Sequence, residues 1–175
     1  MSEVLVRDFH TGDGEGVARI GIENGAYYAD LAPDYFKTPD EDGFADLFDS
    51  DSEWREEADN LALVAEIEGD VAGYLEATLQ RPMETARWQS QRDLSAPRLF
   101  IGVVTTADRF KRRGVATRLV EAAEDWGRSK GAVVAICDTY IDSPLSVPFW
   151  EKRMGYTRRA IVLRKPLAPD NANPS

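Results

Sequence analysis

The 175-residue sequence contains one cysteine, Cys137, and one histidine, His10. A single thiol forms no internal disulfide and a single imidazole builds no histidine cluster, so we expect neither a disulfide framework nor a bound metal. Cys137 lies in an apolar stretch without an acid–base partner nearby in the sequence, which favours packing over chemistry. No apolar run approaches the ~20 residues that span a bilayer, and the first residues do not begin a signal peptide. We therefore expect a cytoplasmic protein that contacts no membrane.

The composition is typical of one globular domain. Hydrophobic residues make up 43% of the chain, enough for one core at this length. We expect a single domain over residues 1–166 and a flexible tail over residues 167–175. Hydrophobic periodicity and turn signals predict six strands, over residues 3–9, 61–67, 71–79, 99–104, 132–137 and 160–163. The same signals predict three helices: one over residues 15–30, one that begins at Thr38-Pro39, and one from Val115 to Gly131. The last helix has an apolar face made of Val115, Leu119, Ala122 and Trp126.

The most informative segment covers residues 110–119 and directly follows the predicted strand 99–104. Its sequence is Phe-Lys-Arg-Arg-Gly-Val-Ala-Thr-Arg-Leu. A strand that leads through a basic turn into a helix makes an anion site, because unpaired amides, the helix dipole and side-chain cations act together. Gly114 and Ala116 are small enough to let phosphate oxygens approach the backbone. The segment predicts a pyrophosphate site, with an ordinary turn of solvated arginines as the alternative; it matches neither a P-loop nor a dinucleotide fingerprint.

Two motifs resemble one known family, the GNAT N-acetyltransferases. Residues 111–116 are similar to its Gln/Arg-x-x-Gly-x-Gly/Ala signature, with Lys111 in place of the usual glutamine or arginine. Residues 143–156 resemble its closing helix, Asn-x-x-Ala-x-x-Phe/Leu-Tyr-Glu-Lys-x-Gly-Phe. The resemblance implies the α/β GNAT fold, in which helices flank both faces of a mixed, mostly antiparallel sheet. It also implies transfer of the acetyl group of acetyl-CoA to a primary amine.

The resemblance further implies where acetyl-CoA binds. Its pyrophosphate would lie on the amides of residues 112–117. Its pantetheine arm would pair, like an added strand, with residues 104–106, and Ser143 stands where the family often has an asparagine near the cofactor. The candidate cofactor-binding residues are Val104, Thr105, Thr106, Lys111, Arg112, Arg113, Gly114, Val115, Ala116, Thr117 and Ser143.

The sequence departs from the family at the catalytic acid. Many relatives use a tyrosine of the closing helix to protonate the thiolate, but this chain has Trp150, whose indole N–H has no usable acidity. The spacing from Trp150 to Gly155 is also one residue longer than in the motif. A carboxylate buried between strands can take the ammonium proton, because burial raises its pKa; loss of that proton to solvent is the alternative. The candidate catalytic residues are Tyr140 and Tyr156 as acids, and Glu76 and Asp138 as bases.

Acidic residues are concentrated in residues 30–59. This segment has twelve acidic and two basic residues, and its net charge of −10 equals that of the whole chain. In the resembling family the segment borders the acceptor pocket, so its field would favour cationic amines; a solvated acidic surface is the alternative. Interleaved aromatic rings suit a protonated amine through cation–π contacts of ~0.5–2 kcal/mol. The candidate substrate-binding residues are Tyr27, Tyr28, Asp30, Asp34 and Tyr35.

Other functions share these motifs. A non-catalytic acyl-CoA-binding regulatory module would keep the phosphate turn and lose the acid–base groups. Trp150, in place of the family's tyrosine, favours this alternative. An acyltransferase for a longer acyl-CoA would differ only in pocket depth. Nucleic-acid binding by the basic turn is opposed by the net charge of −10. The sequence names neither the acceptor nor the oligomeric state, and a homodimer stays open.

Overall fold

The computed structural model describes residues 3–167 and contains one five-stranded sheet in the order β1-β2-β3-β4-β5. The first four strands are antiparallel and β5 is parallel to β4, so the predicted mixed, mostly antiparallel sheet is confirmed. The strands are β1 (Leu5–Asp8), β2 (Asn60–Ile67), β3 (Asp70–Gln80), β4 (Arg98–Thr106) and β5 (Val134–Cys137).

Helices cover both faces of the sheet, as the family resemblance implied. On the face that carries Tyr74, here called the Tyr74 face, Val17, Phe48 and Trp54 of three helices surround the Tyr74 ring. On the opposite face Leu119 packs in the main core beside Leu75. No helix among residues 3–167 is long and apolar enough to cross a membrane. The helices are α1 (Gly14–Leu31), α2 (Phe44–Ser50), α3 (Ser52–Glu56), α4 (Val115–Ser129) and α5 (Ser146–Pro148), and α5 continues as a π-helix over Phe149–Arg153.

Helix α4 forms as predicted but presents a slightly different face to the sheet. Val115 and Leu119 are buried, whereas Ala122 and Trp126 are only half-buried and Ala123 takes their place in the core. The reason is that small residues, Ala123 and Gly127, lie on the face of α4 that packs on the sheet. A Cβ on Gly127 would lie 3.1 Å from a methyl carbon of Leu99. The glycine therefore lets the helix rest close against β4.

Two predicted elements are wrong. The second helix does not begin at Thr38-Pro39 but at Phe44, after Gly43 in the left-handed conformation. Pro39 instead packs on α1, where a Cβ on Gly25 would lie 2.2 Å from its ring. The predicted last strand over residues 160–163 pairs with no strand among the described residues, and Val162 is 85% exposed. Of the predicted tail over residues 167–175, all residues after Leu167 lie outside the described part of the chain. The single domain over residues 1–166 stays a prediction.

A charged network ties the start of α1 to β1 and β2. Arg7 donates to both carboxylate oxygens of Asp13 at 2.7 and 2.8 Å and to Glu66 at 2.7 Å. Asp13 also accepts the amide N–H of His10 at 2.7 Å. Burial opposes the charged form of Asp13, but the hydrogen bonds from Arg7 and His10 outweigh it and lower its pKa. The folded state therefore favours the ionised carboxylate.

This lowered pKa gives a pH-dependent contribution to stability. It is present above the unfolded pKa of ~3.9 and is lost as the pH falls through the lower folded value. We expect Asp13→Asn to reduce the free energy of unfolding by about 1–3 kcal/mol at pH 7, and the reduction to shrink below about pH 4. Urea unfolding across pH measures this, with exposed Asp8→Asn as the control. An equal effect of both substitutions would contradict the prediction.

Candidate active site

The basic turn between β4 and α4 has the backbone of an anion site. Arg112 and Gly114 both lie in the left-handed region, with φ of 64° and 85°. The first intrahelical bond of α4 runs from the amide of Arg118 to the carbonyl of Gly114 at 3.0 Å. No side chain among the described residues caps this helix. The amides of residues 115–117 are therefore available to an anion, and the alternating left-handed residues shape a concave nest of N–H groups.

The turn makes contacts with helix α1 and within itself. Glu23 of α1 accepts the amide N–H of Asp108 at 2.8 Å, and Lys111 pairs with the Asp108 carboxylate. The guanidinium of Arg113 lies 5.5 Å from the centre of the buried Phe110 ring. Lys111, Arg112 and Arg113 stay exposed, whereas the side chains of Val115 and Thr117 are buried. The predicted cofactor residues therefore offer exposed cations and backbone amides at one place.

Within residues 3–167, the end of strand β4 that leads into this turn is unpaired along one edge. Its pairing with β5 ends at Ile101 opposite Cys137, although β4 continues to Thr106. The pairing with β3 shifts at the same level: Ala77 faces Ile101 but Glu76 faces Val103, so Gly102 is an extra residue in a β-bulge. An extended chain can pair with this edge, which contains the predicted Val104, Thr105 and Thr106.

Five aromatic rings form a continuous cluster on the α1 side of the site. The ring of Tyr140 stacks at 6.2 Å on Tyr35 and lies 5.3 Å from Phe36. Phe36 lies 4.9 Å from Tyr28, which lies 5.1 Å from Tyr27. We call these residues the aromatic cluster. Its far end meets the basic turn, because the ammonium of Lys111 lies 5.3 Å from the Tyr27 ring. The structure thus brings together the predicted substrate tyrosines, one candidate acid and the basic turn.

The acidic segment divides into two parts. Asp30 and Asp34 are exposed, and in the sequence they lie between Tyr28 and Tyr35 of the aromatic cluster. Asp49 instead accepts the amides of Gly12 and Gly14 at 2.9 and 3.1 Å, so it supports the start of α1. Only part of the acidic segment is therefore available to attract a cation.

A basic side chain that the sequence did not single out already lies on the aromatic cluster. The guanidinium of Arg164 is 5.2 Å from the ring centre of Tyr35 and donates to the carbonyl of Asp34 at 3.5 Å. Its position after the predicted last strand gave no signal of this contact. The rings of the cluster therefore accept a cation in this fold.

The two candidate bases lie on either side of β4 in the sheet order, near the level where β4 and β5 stop pairing. Glu76 lies on the Tyr74 face opposite Val103 at the bulge, and its Oε1 accepts the hydroxyl of Tyr74 at 2.5 Å. Asp138 is exposed and directly follows β5. Burial, followed by the charge of Asp138, raises the pKa of the Cys137 thiol to about 12. That thiol is protonated at neutral pH, which agrees with a packing role.

Two other predicted residues have structural partners away from the aromatic cluster. The Tyr156 hydroxyl donates to Glu124 of α4 at 3.1 Å, and its ring packs 4.8 Å from Trp150 in the core. Burial, and then the charge of Glu124, raise the pKa of Tyr156 above its ordinary value. Ser143 is buried, and its hydroxyl accepts the amide of Ser146 at 3.1 Å at the start of the closing helix. Tyr156 and Ser143 are therefore weaker candidates than Tyr140 and the basic turn.

The extra residue in the closing motif is absorbed by the π-helix. The amide of Met154 bonds to the carbonyl of Phe149 at 3.0 Å, five residues back, and Trp150 is 4% exposed. A π-turn accommodates one inserted residue without breaking a helix. The longer spacing before Gly155 was the sequence signal for this feature.

The comparison with known proteins identifies the family. The chain belongs to the Acetyltransferase (GNAT) family, whose sequence profile matches residues 25–156. No curated protein matches the sequence. The predicted family and fold are both confirmed.

Solved structures share this fold at low sequence identity. A mutant of the BH1408 protein from Bacillus halodurans is 16% identical with a TM-score of 0.78, covering 94% of this chain and 99% of that one. The aminoglycoside N-acetyltransferase AAC(6')-Iy, in complex with the bisubstrate analog CoA-S-monomethyl-acetylneamine, is 22% identical with a TM-score of 0.63, covering 94% and 99%. The aminoglycoside 6'-N-acetyltransferase AAC(6')-IG from Acinetobacter haemolyticus is 16% identical with a TM-score of 0.63, covering 95% and 99%.

Proposed function

We propose that this protein transfers the acetyl group of acetyl-CoA to the primary amine of a cationic small molecule or peptide. The observation that carries this proposal is the continuity of three parts. The uncapped start of α4 adjoins the free edge of β4, and the aromatic cluster meets the same turn through Lys111 and Tyr27. Membership of the GNAT family supports the same reaction.

The residues of the turn fit the phosphate groups of acetyl-CoA. The amides of residues 115–117 and the exposed side chains of Lys111, Arg112 and Arg113 supply donors and positive charge. Residues 104–106 would hold the pantetheine arm through backbone hydrogen bonds. AAC(6')-Iy, which shares the fold, is solved with CoA, and this supports the assignment.

The aromatic cluster and its neighbouring acids fit a cationic acceptor. Tyr35 already accepts one cation, the guanidinium of Arg164, on its face. Asp30 and Asp34 are exposed and lie between Tyr28 and Tyr35 in the sequence, and their negative charge would raise the local concentration of protonated amines. The aminoglycoside N-acetyltransferases among the structural neighbours support an amine acceptor of this kind.

Glu76 and Tyr140 are the acid–base pair that we assign. Glu76 takes the proton that the ammonium must lose before it attacks the thioester carbon. The amine nitrogen then forms a bond to that carbon, the carbon–sulfur bond breaks, and Tyr140 donates its hydroxyl proton to the departing thiolate. The nitrogen loses its second proton to the Tyr140 phenolate, which restores the phenol, and Glu76 releases its proton to solvent. Glu76 pairs with Val103 of β4, just beyond the last residue pair of β4 and β5, and Tyr140 follows the end of β5 by three residues. Positioning the two reactants there supplies much of the rate.

A non-catalytic acyl-CoA-binding module is the second candidate. It is favoured by one observation, the burial of Trp150 in the core at the position of the family's tyrosine. A module of this kind would bind acetyl-CoA without releasing thiol in the presence of any amine. An enzyme for a longer acyl chain would release thiol faster from that acyl-CoA than from acetyl-CoA.

A thiol-release assay with acetyl-CoA and a panel of amines tests the proposal. We expect thiol release with di- and polyamines or aminoglycosides, with kcat/KM severalfold above that of a neutral amine of similar size. The advantage should shrink as salt rises, because exposed charges are screened beyond ~8–10 Å. Asp30→Asn with Asp34→Asn should reduce the preference mainly through KM. The control neutralises two exposed acids of α4, by Glu121→Gln with Asp125→Asn. A preference for neutral or anionic amines would assign the acidic segment to solubility.

A further inference from the structure

We propose that Tyr74 is a positioning residue that holds one oxygen of Glu76, so that the other oxygen receives the proton of the acceptor amine. This inference rests on the proposed function, because it takes Glu76 as the base. Tyr74 and Glu76 are two residues apart on β3, which puts both side chains on the Tyr74 face. Their hydrogen bond is 2.5 Å long and ends on Oε1. Among residues 3–167, Oε2 accepts no hydrogen bond.

The Tyr74 side chain is fixed by its surroundings. It is 2% exposed, and its ring makes edge-to-face contacts with Phe9 at 5.9 Å and Phe48 at 5.5 Å. Val17, Val64 and Trp54 belong to the same apolar cluster. A ring packed in this way against Phe9, which follows β1, and against α1, α2 and α3 cannot follow a moving carboxylate. The hydroxyl therefore sets the orientation of Glu76 rather than the reverse.

Burial and the charges near the pair keep the Tyr74 phenol protonated, so that it donates the hydrogen bond. Burial, and then the negative charge of Glu76, raise the pKa of the Tyr74 phenol above its ordinary value. The other charged groups that act on it are Arg55 of α3, which opposes this rise, and Asp51, which adds to it. The residues opposite Glu76 on β2 and β4 are the apolar Ala62 and Val103. The phenol thus stays protonated at neutral pH and keeps its hydrogen bond to the carboxylate.

Loss of this hydrogen bond changes the pH dependence of activity, which a packing defect does not. A donor to a carboxylate stabilises its charged form, so removing the donor raises the pKa of the carboxyl group. In Tyr74→Phe the ring contacts remain and only the hydroxyl is lost. We expect kcat to fall about three- to tenfold, KM for acetyl-CoA to be unchanged, and the acidic limb of the kcat/KM profile to move to higher pH.

The matched control is Thr78→Val. Thr78 lies on the same strand and face, and its hydroxyl donates to Asn60 at 3.1 Å. This variant loses one side-chain hydrogen bond of β3 without touching Glu76, so its pH profile should match that of the unsubstituted protein. Melting temperatures of both variants identify any loss of folded protein. A shift of the acidic limb in Thr78→Val as well would overturn the inference.

Combining Tyr74→Phe with Glu76→Gln tests separately whether Glu76 is the base and whether Tyr74 positions it. If Tyr74 acts through Glu76, adding Tyr74→Phe to Glu76→Gln should cause no further loss of kcat. A loss in Glu76→Gln alone, with an unchanged pH profile in Tyr74→Phe, would overturn the role of Tyr74 and leave Glu76 as the base. Full activity in Glu76→Gln would overturn both assignments and leave acetyl transfer itself standing. No turnover in the unsubstituted protein with any amine would instead reject the proposed function.

Discussion

Replacement of Tyr140 by phenylalanine is expected to lower kcat by about 10²–10⁴ and to leave KM for acetyl-CoA nearly unchanged. The departing thiolate needs a proton, and Tyr140 is the candidate acid whose ring lies in the aromatic cluster. Trp150, at the family's usual position, is buried in the core. Thiol release at saturating amine, measured across pH, gives kcat for the comparison. The basic limb of the profile should disappear in the variant if the phenol is the acid.

Tyr156→Phe is the matched control for this prediction. The Tyr140→Phe variant keeps its ring contacts with Tyr35 and Phe36, so its fold should be intact. Tyr156→Phe loses the hydrogen bond to Glu124, and we expect it to lower stability by about 1 kcal/mol while keeping kcat. Full activity of Tyr140→Phe, alone and together with Tyr156→Phe, would show that solvent or another group supplies the proton.

The parts of the fold that the sequence predicted correctly are those whose local pattern matches their packing. The hairpin of β2 and β3 follows from two apolar runs of strand length on either side of a turn, and both of its faces are buried. The helix α4 follows from its helical period, because it buries one face. The errors arise where a contact between residues far apart in the sequence determines the local structure. Thr38-Pro39 has the sequence of a helix start, yet Pro39 packs against Gly25 of α1. Residues 160–163 have strand propensity but pair with no strand in the described part of the chain.

The same distinction applies to the candidate site. The basic turn could be predicted because its chemistry lies in a few consecutive residues whose backbone forms the nest. The contact of Tyr140 with Tyr35 could not, because the two residues come from segments far apart in the sequence. The bond of Tyr156 to Glu124 depends in the same way on the packing of the closing helix against α4. The pairing of Tyr74 with Glu76 was within reach of the sequence, since residues two apart on a strand share a face.

Gly114→Val is expected to weaken acetyl-CoA binding at least tenfold, or ~1.4 kcal/mol. Gly114 has a φ of 85°, a left-handed conformation that a β-branched residue does not adopt without strain. A Cβ there would meet nothing within 4 Å, so the effect comes from the backbone and from the amides that follow it. Arg113→Glu should weaken binding to a similar degree, because it places a negative charge beside the phosphate groups. Isothermal calorimetry with acetyl-CoA measures both variants.

The other end of α4 supplies the matched control for this last prediction. Gly131 has a φ of 83° and a Cβ there would likewise meet nothing within 4 Å. Gly131→Val therefore introduces the same backbone strain far from the basic turn, and it should cost a similar amount of stability without changing acetyl-CoA affinity. Arg87→Glu, on the exposed segment between β3 and β4, reverses a charge at a distance from the turn. Equal affinities in Gly114→Val and Gly131→Val, or an unchanged affinity in Arg113→Glu, would reject the basic turn as the acetyl-CoA site.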